Sequence, residues 1–305
     1  MAHPDYKIEL TNKLESVEHF AKASKLTRFF SNPIKYLSGP GINKIFSAKS
    51  GKGRIIQVTT FFGVPFKVIL PAGMDIYLTG GKTHDSELRL ARFLINNLNP
   101  DDVFFDIGAH FGYYTLLASE LLNKNGRVIS FEPSYVFSLL HDNMLGRHNV
   151  EVYKIAITNV NDNIDFYEFP IKYSENNTKN ISQFEQEEWY ENNIPTNIKV
   201  EGKSLDQFSS ETNLIPQVIK VDVEGEEHKV IEGAQQILIQ NKPIVIIEYL
   251  AGSINSPHSI ACMLLKKLNY TAYNINWEGS LKACVDIEQY MRLQNLHSDN
   301  LVFKV

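Results

Sequence analysis

Cysteine is nearly absent from this sequence: Cys262 and Cys284 are the two in 305 residues. They are too few and too far apart for a disulfide framework or a cysteine-ligated metal site. Their scarcity fits a reducing compartment, so the expected location is cytoplasmic. Long apolar runs are also missing. No stretch approaches the roughly 18 residues that a membrane span requires, and the first 20 residues carry several charges, which argues against a signal peptide. Positive charge is not in excess, with 30 Lys and Arg against 35 Asp and Glu. Broad nucleic-acid binding is therefore not expected.

What is present describes an ordinary folded chain, 43% hydrophobic and 21% charged, long enough for one large domain or two smaller ones. Charge is unevenly spread. Residues 1–60 hold ten Lys or Arg and four Asp or Glu, a net of +6; the total of -5 leaves -11 for the remainder. The basic arm reads as a solvated face, with contact to a membrane surface as the sharper alternative. Leu10, Leu14, Val17, Phe20 and Ala21 mark one stripe of an amphipathic helix, interrupted further on by Pro33, Pro40 and Gly41. Three short strands are expected next, at 55–62, 66–70 and 75–79. Residues 1–80 are accordingly taken as an N-terminal extension and residues 81–305 as the main domain. An insertion at about 170–199, rich in asparagine and acids around Trp189 and Tyr190, is expected to lie over the site.

The main domain is organised around V-F-F-D-I-G-A-H-F-G-Y-Y-T-L-L, residues 103–117. An apolar run ends in Asp106, glycines follow at 108 and 112, and an apolar segment with helical spacing comes next: strand, tight turn, helix. The dinucleotide fingerprint needs glycines at its first, third and sixth positions; counted from Gly108, the latter two are His110 and Tyr113, so it is absent. The observed spacing suits a ligand with a small carboxylate and no phosphates, such as S-adenosylmethionine. Asp106 would face its ammonium, the turn amides its carboxylate, and the glycines would leave room for it. The second strand, 126–131, ends in Glu132-Pro133, where an acid accepts hydrogen bonds from ribose hydroxyls. A third, 150–157, places Ala156 as a wall for adenine. Strands at 216–223, 243–248, 271–276 and 300–305 alternate with helices, among them one from Ser134 to about Arg147 and one through Val230 and Leu238. This pattern predicts a mostly parallel, doubly wound α/β sheet.

In K-V-D-V-E, Lys220, Asp222 and Glu224 alternate along one strand face, and Glu248 closes the next strand. Open α/β sheets bind ligands at these strand ends. A hydroxyl methyl acceptor must lose a proton, which calls for a base. Asp222, Glu224 and Glu248 are the catalytic candidates, with His110 as a fourth that more readily shapes the cofactor pocket and Lys220 as their neutralising partner; capping of the helix near Glu226 is the structural alternative for Asp222 and Glu224. A divalent cation among these acids is conceivable chemistry, but no metal ligands are assigned.

These motifs, in this order, resemble the FkbM family of S-adenosylmethionine-dependent methyltransferases: D-I-G-A-H-F-G-Y-Y-T (106–115), F-E-P (131–133), S-L-D (204–206), K-V-D-V-E-G-E-E (220–227), E-G-A (232–234) and I-E (247–248). The resemblance covers roughly residues 80–250. It implies a class I methyltransferase fold, a Rossmann-like, mostly parallel seven-stranded sheet, and O-methylation of a sugar, glycolipid or natural-product hydroxyl. The cofactor-binding candidates are Asp106, Gly108, Ala109, His110, Gly112, Glu132, Pro133, Ala156 and Asp222. His110 departs from the family, which usually has Asn there. The alternatives are an NAD(P)-dependent oxidoreductase, against which the missing glycines count, and a non-catalytic binding protein, against which the charged face of 220–224 counts.

Overall fold

A computed structural model describes residues 4–31, 33, 35, 53–179, 181, 184, 185, 187–252 and 256–305. Pro40, Gly41 and much of the basic arm lie outside the described residues, and with them the membrane-contact reading of that arm. Helices α1 (Pro4–Lys22) and α2 (Lys25–Ser31) precede a hairpin of β1 (Arg54–Thr59) and β2 (Pro65–Leu70). The third expected strand is instead a short helix, α3 (Met74–Thr79). The hairpin ladder ends at Arg54 and Leu70, and among the described residues no further strand pairs with it. Asp75 accepts the N–H of Ile76, and Gly80 closes the turn in the left-handed region.

From α4 (Asp85–Asn97) onward the chain alternates as the sequence predicts. β3 (Val103–Ile107), α5 (Tyr113–Leu121), β4 (Arg127–Phe131), α6 (Phe137–Met144) and β5 (Val150–Tyr153) build one half of the sheet. β6 (Ala156–Ile157), β7 (Asn163–Glu168) and β8 (Thr196–Lys203) form a separate three-stranded sheet in the order β6-β8-β7. The remainder runs α7 (Leu205–Thr212), β9 (Val218–Val221), α8 (Glu227–Glu232), α9 (Gln235–Gln240), β10 (Ile244–Leu250), α10 (Pro257–Lys267), β11 (Thr271–Ile275), β12 (Leu281–Ala283), α11 (Ile287–Gln294) and β13 (Ser298–Lys304).

The main sheet has the order β12-β11-β13-β10-β9-β3-β4-β5. β5, β4, β3, β9 and β10 are parallel, and β13 runs antiparallel between β10 and β11. This is the class I methyltransferase architecture with eight strands rather than seven; the three-residue β12 is the addition. The chain order reverses between β3 and β9, which opens a crevice at their carboxyl ends. Each strand sends alternate residues to two cores. Phe104, Val128, Val218 and Ile246 face α4 to α6, while Phe105, Ile129, Ile219 and Ile247 face α7 to α10. Leu10, Leu14 and Val17 of α1 belong to the first of these cores, and Glu18 pairs with Arg92 of α4 at 3.1 Å. Among the described residues no helix is long and apolar enough to cross a membrane.

Three further expectations are corrected. The strand expected over 150–157 divides after Tyr153, because Ala156 and Ile157 pair with Gly202 and Lys203 in the second sheet. The helix expected from Ser134 begins only at Phe137, since the Ser134 hydroxyl donates to Glu132 at 2.6 Å. The helix expected through Val230 and Leu238 divides at Gly233, where an added Cβ would lie 2.1 Å from the Thr158 carbonyl oxygen. Asp206 restarts it by accepting the N–H groups of Gln236 and Ile237 at 2.9 and 3.0 Å. The S-L-D and E-G-A motifs thus meet as scaffolding.

Candidate functional site

The turn after β3 holds its shape by self-contact. Gly108, His110 and Gly112 have φ of 79°, 51° and 89°. Gly108 and Ala109 donate their N–H groups to the Phe131 carbonyl, Gly112 to Ala109, and His110 to Glu132 Oε2 at 2.9 Å. These four amides are bonded within the chain. A Cβ on Gly108 would lie 1.8 Å from the Asp222 carbonyl oxygen, and one on Gly112 2.5 Å from Leu140. The glycines serve the approach of β9 and α6, and Gly108 also lines the cavity described next.

A cavity of about 280 Å³ opens at the crevice. Of the predicted cofactor set, Gly108, His110, Glu132, Pro133, Ala156 and Asp222 line it; Asp106, Ala109 and Gly112 do not. Phe131, Ile155, Ala156, Ile157, Ile164 and Phe166 give it an apolar wall beside Glu132. Glu132 is 5% exposed. Its Oε1 accepts the N–H and hydroxyl of Ser134, while Oε2 accepts the His110 amide and keeps a lone pair free. Burial raises its pKa despite these bonds.

Asp106 lies beneath the cavity floor, 1% exposed. The Thr115 hydroxyl donates to its Oδ2 at 2.7 Å, and its Oδ1 stands 3.6 Å from Lys220 Nζ. Lys220 sits opposite Asp106 in the parallel β3–β9 register and reaches Asp222 Oδ2 at 3.0 Å. It lies off the main cavity lining and is placed as an internal counter-ion, the neutralising partner of the acids.

Asp222, Glu224 and Glu248 come together as expected. One oxygen from each lies within 4.8 Å of the others, close enough to share protons or hold a cation. The route differs from the alternation inferred from sequence. β9 ends at Val221, and Glu224 arrives through a left-handed turn, φ 52°, followed by Gly225 at 90°. Their proton affinities diverge. Burial works against ionisation of Asp222, but Lys220 and Lys82 overcome it and hold its pKa low. Burial and the Asp222 charge push Glu248 well above the usual carboxylate range. Burial, Glu248 and Asp222 do the same to Glu224.

Other lining groups were invisible as a set in the sequence. Lys82 pairs with Glu87 at 3.0 Å on one wall. Ser174, Glu175, Asn177 and Lys179 of the insertion form another. Burial raises Glu175 to about 7. Ser174 Oγ lies 2.9 Å from His110 Nε2, and burial with the nearby Lys82 charge lowers His110 to about 3, leaving its ring neutral. Thr178 donates its hydroxyl to the Glu224 carbonyl at 2.7 Å. The described part of the insertion includes 3₁₀ turns at Ile171–Asn176 and Tyr190–Asn192, and Trp189 stacks on Tyr173 with centroids 4.3 Å apart. No local signal joins these residues; only the fold does.

The profile of the methyltransferase FkbM domain matches residues 106–272. A search of curated protein sequences returns no match. Similar solved structures include the methyltransferase FkbM from Methylobacillus flagellatus KT, at 14% identity and TM-score 0.41, over 77% of this chain and 53% of that one. The O-methyltransferase from Bacillus cereus in complex with SAH aligns at 13% identity and TM-score 0.40, over 73% and 81%. The precorrin-6y C5,15-methyltransferase from Geobacter metallireducens GS-15 aligns at 12% and 0.39, over 72% and 87%. At such TM-scores these likenesses carry no argument, whereas the profile spans more than half the chain. The chain therefore belongs to the FkbM methyltransferase family, whose methyl donor is S-adenosylmethionine.

Proposed function

We propose that this enzyme methylates a hydroxyl of a sugar, glycolipid or natural product, and that Glu248 takes the hydroxyl proton. The observation that carries this reading is the carboxyl cluster at the cavity, in which an ionised Asp222 holds up the proton affinity of Glu248. A carboxyl with a raised pKa is a stronger base once ionised. An acceptor that is already an unprotonated nucleophile needs no such group.

The cavity fits the cofactor. The free lone pair of Glu132 Oε2 suits a ribose hydroxyl, and the apolar wall with Ala156 suits adenine. Gly108, His110 and Pro133 complete that half, with Asp222 at the boundary to the acceptor. In this reading Asp106, Ala109 and Gly112 act from below by shaping the corner. When bound, S-adenosylmethionine supplies an electrophilic methyl group. The protein's task is then to orient the acceptor and remove its proton. Lys82, Glu87, Glu175 and Lys179 line the remaining wall, and acceptor choice is assigned to that wall together with residues 1–80.

Release of S-adenosylhomocysteine across a panel of hydroxylated sugars and lipids, with matched amines, tests the reading. Turnover with hydroxyl compounds is expected; turnover confined to amines overturns it. Glu132→Ala is expected to weaken S-adenosylhomocysteine binding at least about ten-fold by calorimetry, the scale of a lost charge-assisted hydrogen bond. Unchanged affinity would remove Glu132 from the site.

A further inference from the structure

Glu227 and His258 are 1% and 4% exposed and lie off the cavity lining. We infer that they are a positioning pair that locks the acid-bearing turn after β9 to the end of β10, fixing Asp222 and Glu224 against Glu248. This rests on the assignment of those acids to proton transfer.

Glu227 Oε1 accepts the N–H groups of Val223 and Gly225 at 3.2 and 3.3 Å, the two amides flanking Glu224. That bracket holds Glu224 in a left-handed conformation which a glutamate keeps only when its surroundings fix it. Glu227 Oε2 lies 3.2 Å from His258 Nδ1. The same Nδ1 lies 3.2 Å from the backbone carbonyl oxygen of Glu248. A carbonyl only accepts, so Nδ1 carries the hydrogen and donates it to Glu248, while Glu227 Oε2, buried without a hydrogen-bond partner of its own, stands against the same nitrogen. Nε2 is buried without a partner, so the ring's hydrogen bonding runs through Nδ1.

One imidazole on α10 thus joins the turn after β9 to the strand that presents Glu248. An acid that merely capped α8 would need only its reach back to the preceding amides. The histidine, brought from a different helix, is what ties the two acid-bearing strand ends to each other. A shift of about 1 Å between a base and its substrate is enough to cost a hundred-fold in rate, so the pair's effect on turnover exceeds its effect on binding.

The test uses the whole 305-residue chain, saturated with S-adenosylhomocysteine for the exchange measurements and free of it for turnover, and three variants. His258→Leu removes the donor, His258→Asn places an amide N–H near the Nδ1 position, and Glu227→Gln keeps the oxygen for the two amides while setting a donor against the His258 N–H. His258→Leu is expected to speed amide exchange at Val223 and Gly225 about ten-fold relative to the strand core. With an acceptor from the panel, its kcat is expected to fall at least about ten-fold, while KM and S-adenosylhomocysteine affinity stay within about two-fold. Glu227→Gln should follow it, and His258→Asn should recover most of both losses. Parental exchange in His258→Leu overturns the inference, as does faster exchange with parental kcat. Equal damage in the Leu and Asn variants, with cofactor affinity lost alongside, marks a mere prop and also overturns it. The exchange readout is independent of acid chemistry. If Glu248→Gln retains activity while exchange responds as expected, the acid assignment has failed and the link between strand ends has not.

Discussion

Replacing Glu248 by Gln is expected to lower kcat about 10²- to 10⁴-fold, the usual contribution of a positioned base, while S-adenosylhomocysteine affinity holds within about two-fold. The pH dependence identifies the group. A base works only when ionised, and burial together with the Asp222 charge holds the Glu248 proton well above the usual carboxylate range. Wild-type kcat/KM should therefore rise with pH through that elevated pKa, and Glu248→Gln should lose the limb. Asp222→Asn deletes the negative neighbour and leaves the Lys220 charge less compensated beside the site. Both changes favour ionised Glu248, so the limb must move to lower pH in that variant. Initial rates across a pH series, with an acceptor from the panel, read all three proteins. A limb that persists in Glu248→Gln, or that moves upward in Asp222→Asn, sinks the assignment. Persistence would put the proton on Glu224, whose pKa is also raised by burial and by its two acidic neighbours.

The parts of this site that could be read in advance share a cause. Residues 103–107 and 218–221 are apolar because both faces of a central parallel strand are covered, so buried charge at or just beyond their ends stands out as costly unless paired or used. Asp106, Lys220 and Asp222 were visible on that ground, and Glu132 and Glu248 by their places at strand ends. The role of each was harder to see. That Lys220 neutralises an acid was legible, but not that Asp106 is one of its partners: the β3–β9 register sets the two directly opposite, and a sequence does not display register between strands more than 100 residues apart. β7 and β8 went unread for the opposite reason. Their outer face is solvated, so Thr196–Lys203 alternates one buried residue with charged ones and resembles a polar loop. The glycines at 108, 112 and 233 were noticed, but what fills the space beside them is the chain itself. Lys82, Glu175 and His258 were unremarkable as isolated polar residues; each acquires meaning only from an ion pair, a cavity wall or a hydrogen bond supplied by distant segments.

The same register predicts the largest stability effect. Lys220 is 3% exposed and Asp106 1%, and the Lys220 ammonium stands 3.6 Å from Asp106 and 3.0 Å from Asp222. Burial acts to lower the Lys220 pKa, but the charges of Asp222 and Asp106 raise it on balance, so the ammonium stays charged at neutral pH. Lys220→Met keeps the length of the stem and removes the charge. Asp106 Oδ1, already without a hydrogen-bond partner, would then face a buried negative charge with no cation beside it. Breaking a buried pair in this way costs about 3–5 kcal/mol, which for a chain of this size corresponds to a Tm lower by roughly 10 °C. The double variant Asp106→Asn with Lys220→Met removes both charges and leaves an amide that still accepts from Thr115. It should be more stable than Lys220→Met alone, because the two sites are coupled and not additive. Thermal unfolding of the parent and the two variants at neutral pH decides the matter. A parental Tm in Lys220→Met, or a double variant less stable than that single one, would mean that Lys220 does not act as the counter-ion of the buried acids, and its place would return to the chemistry of the cavity.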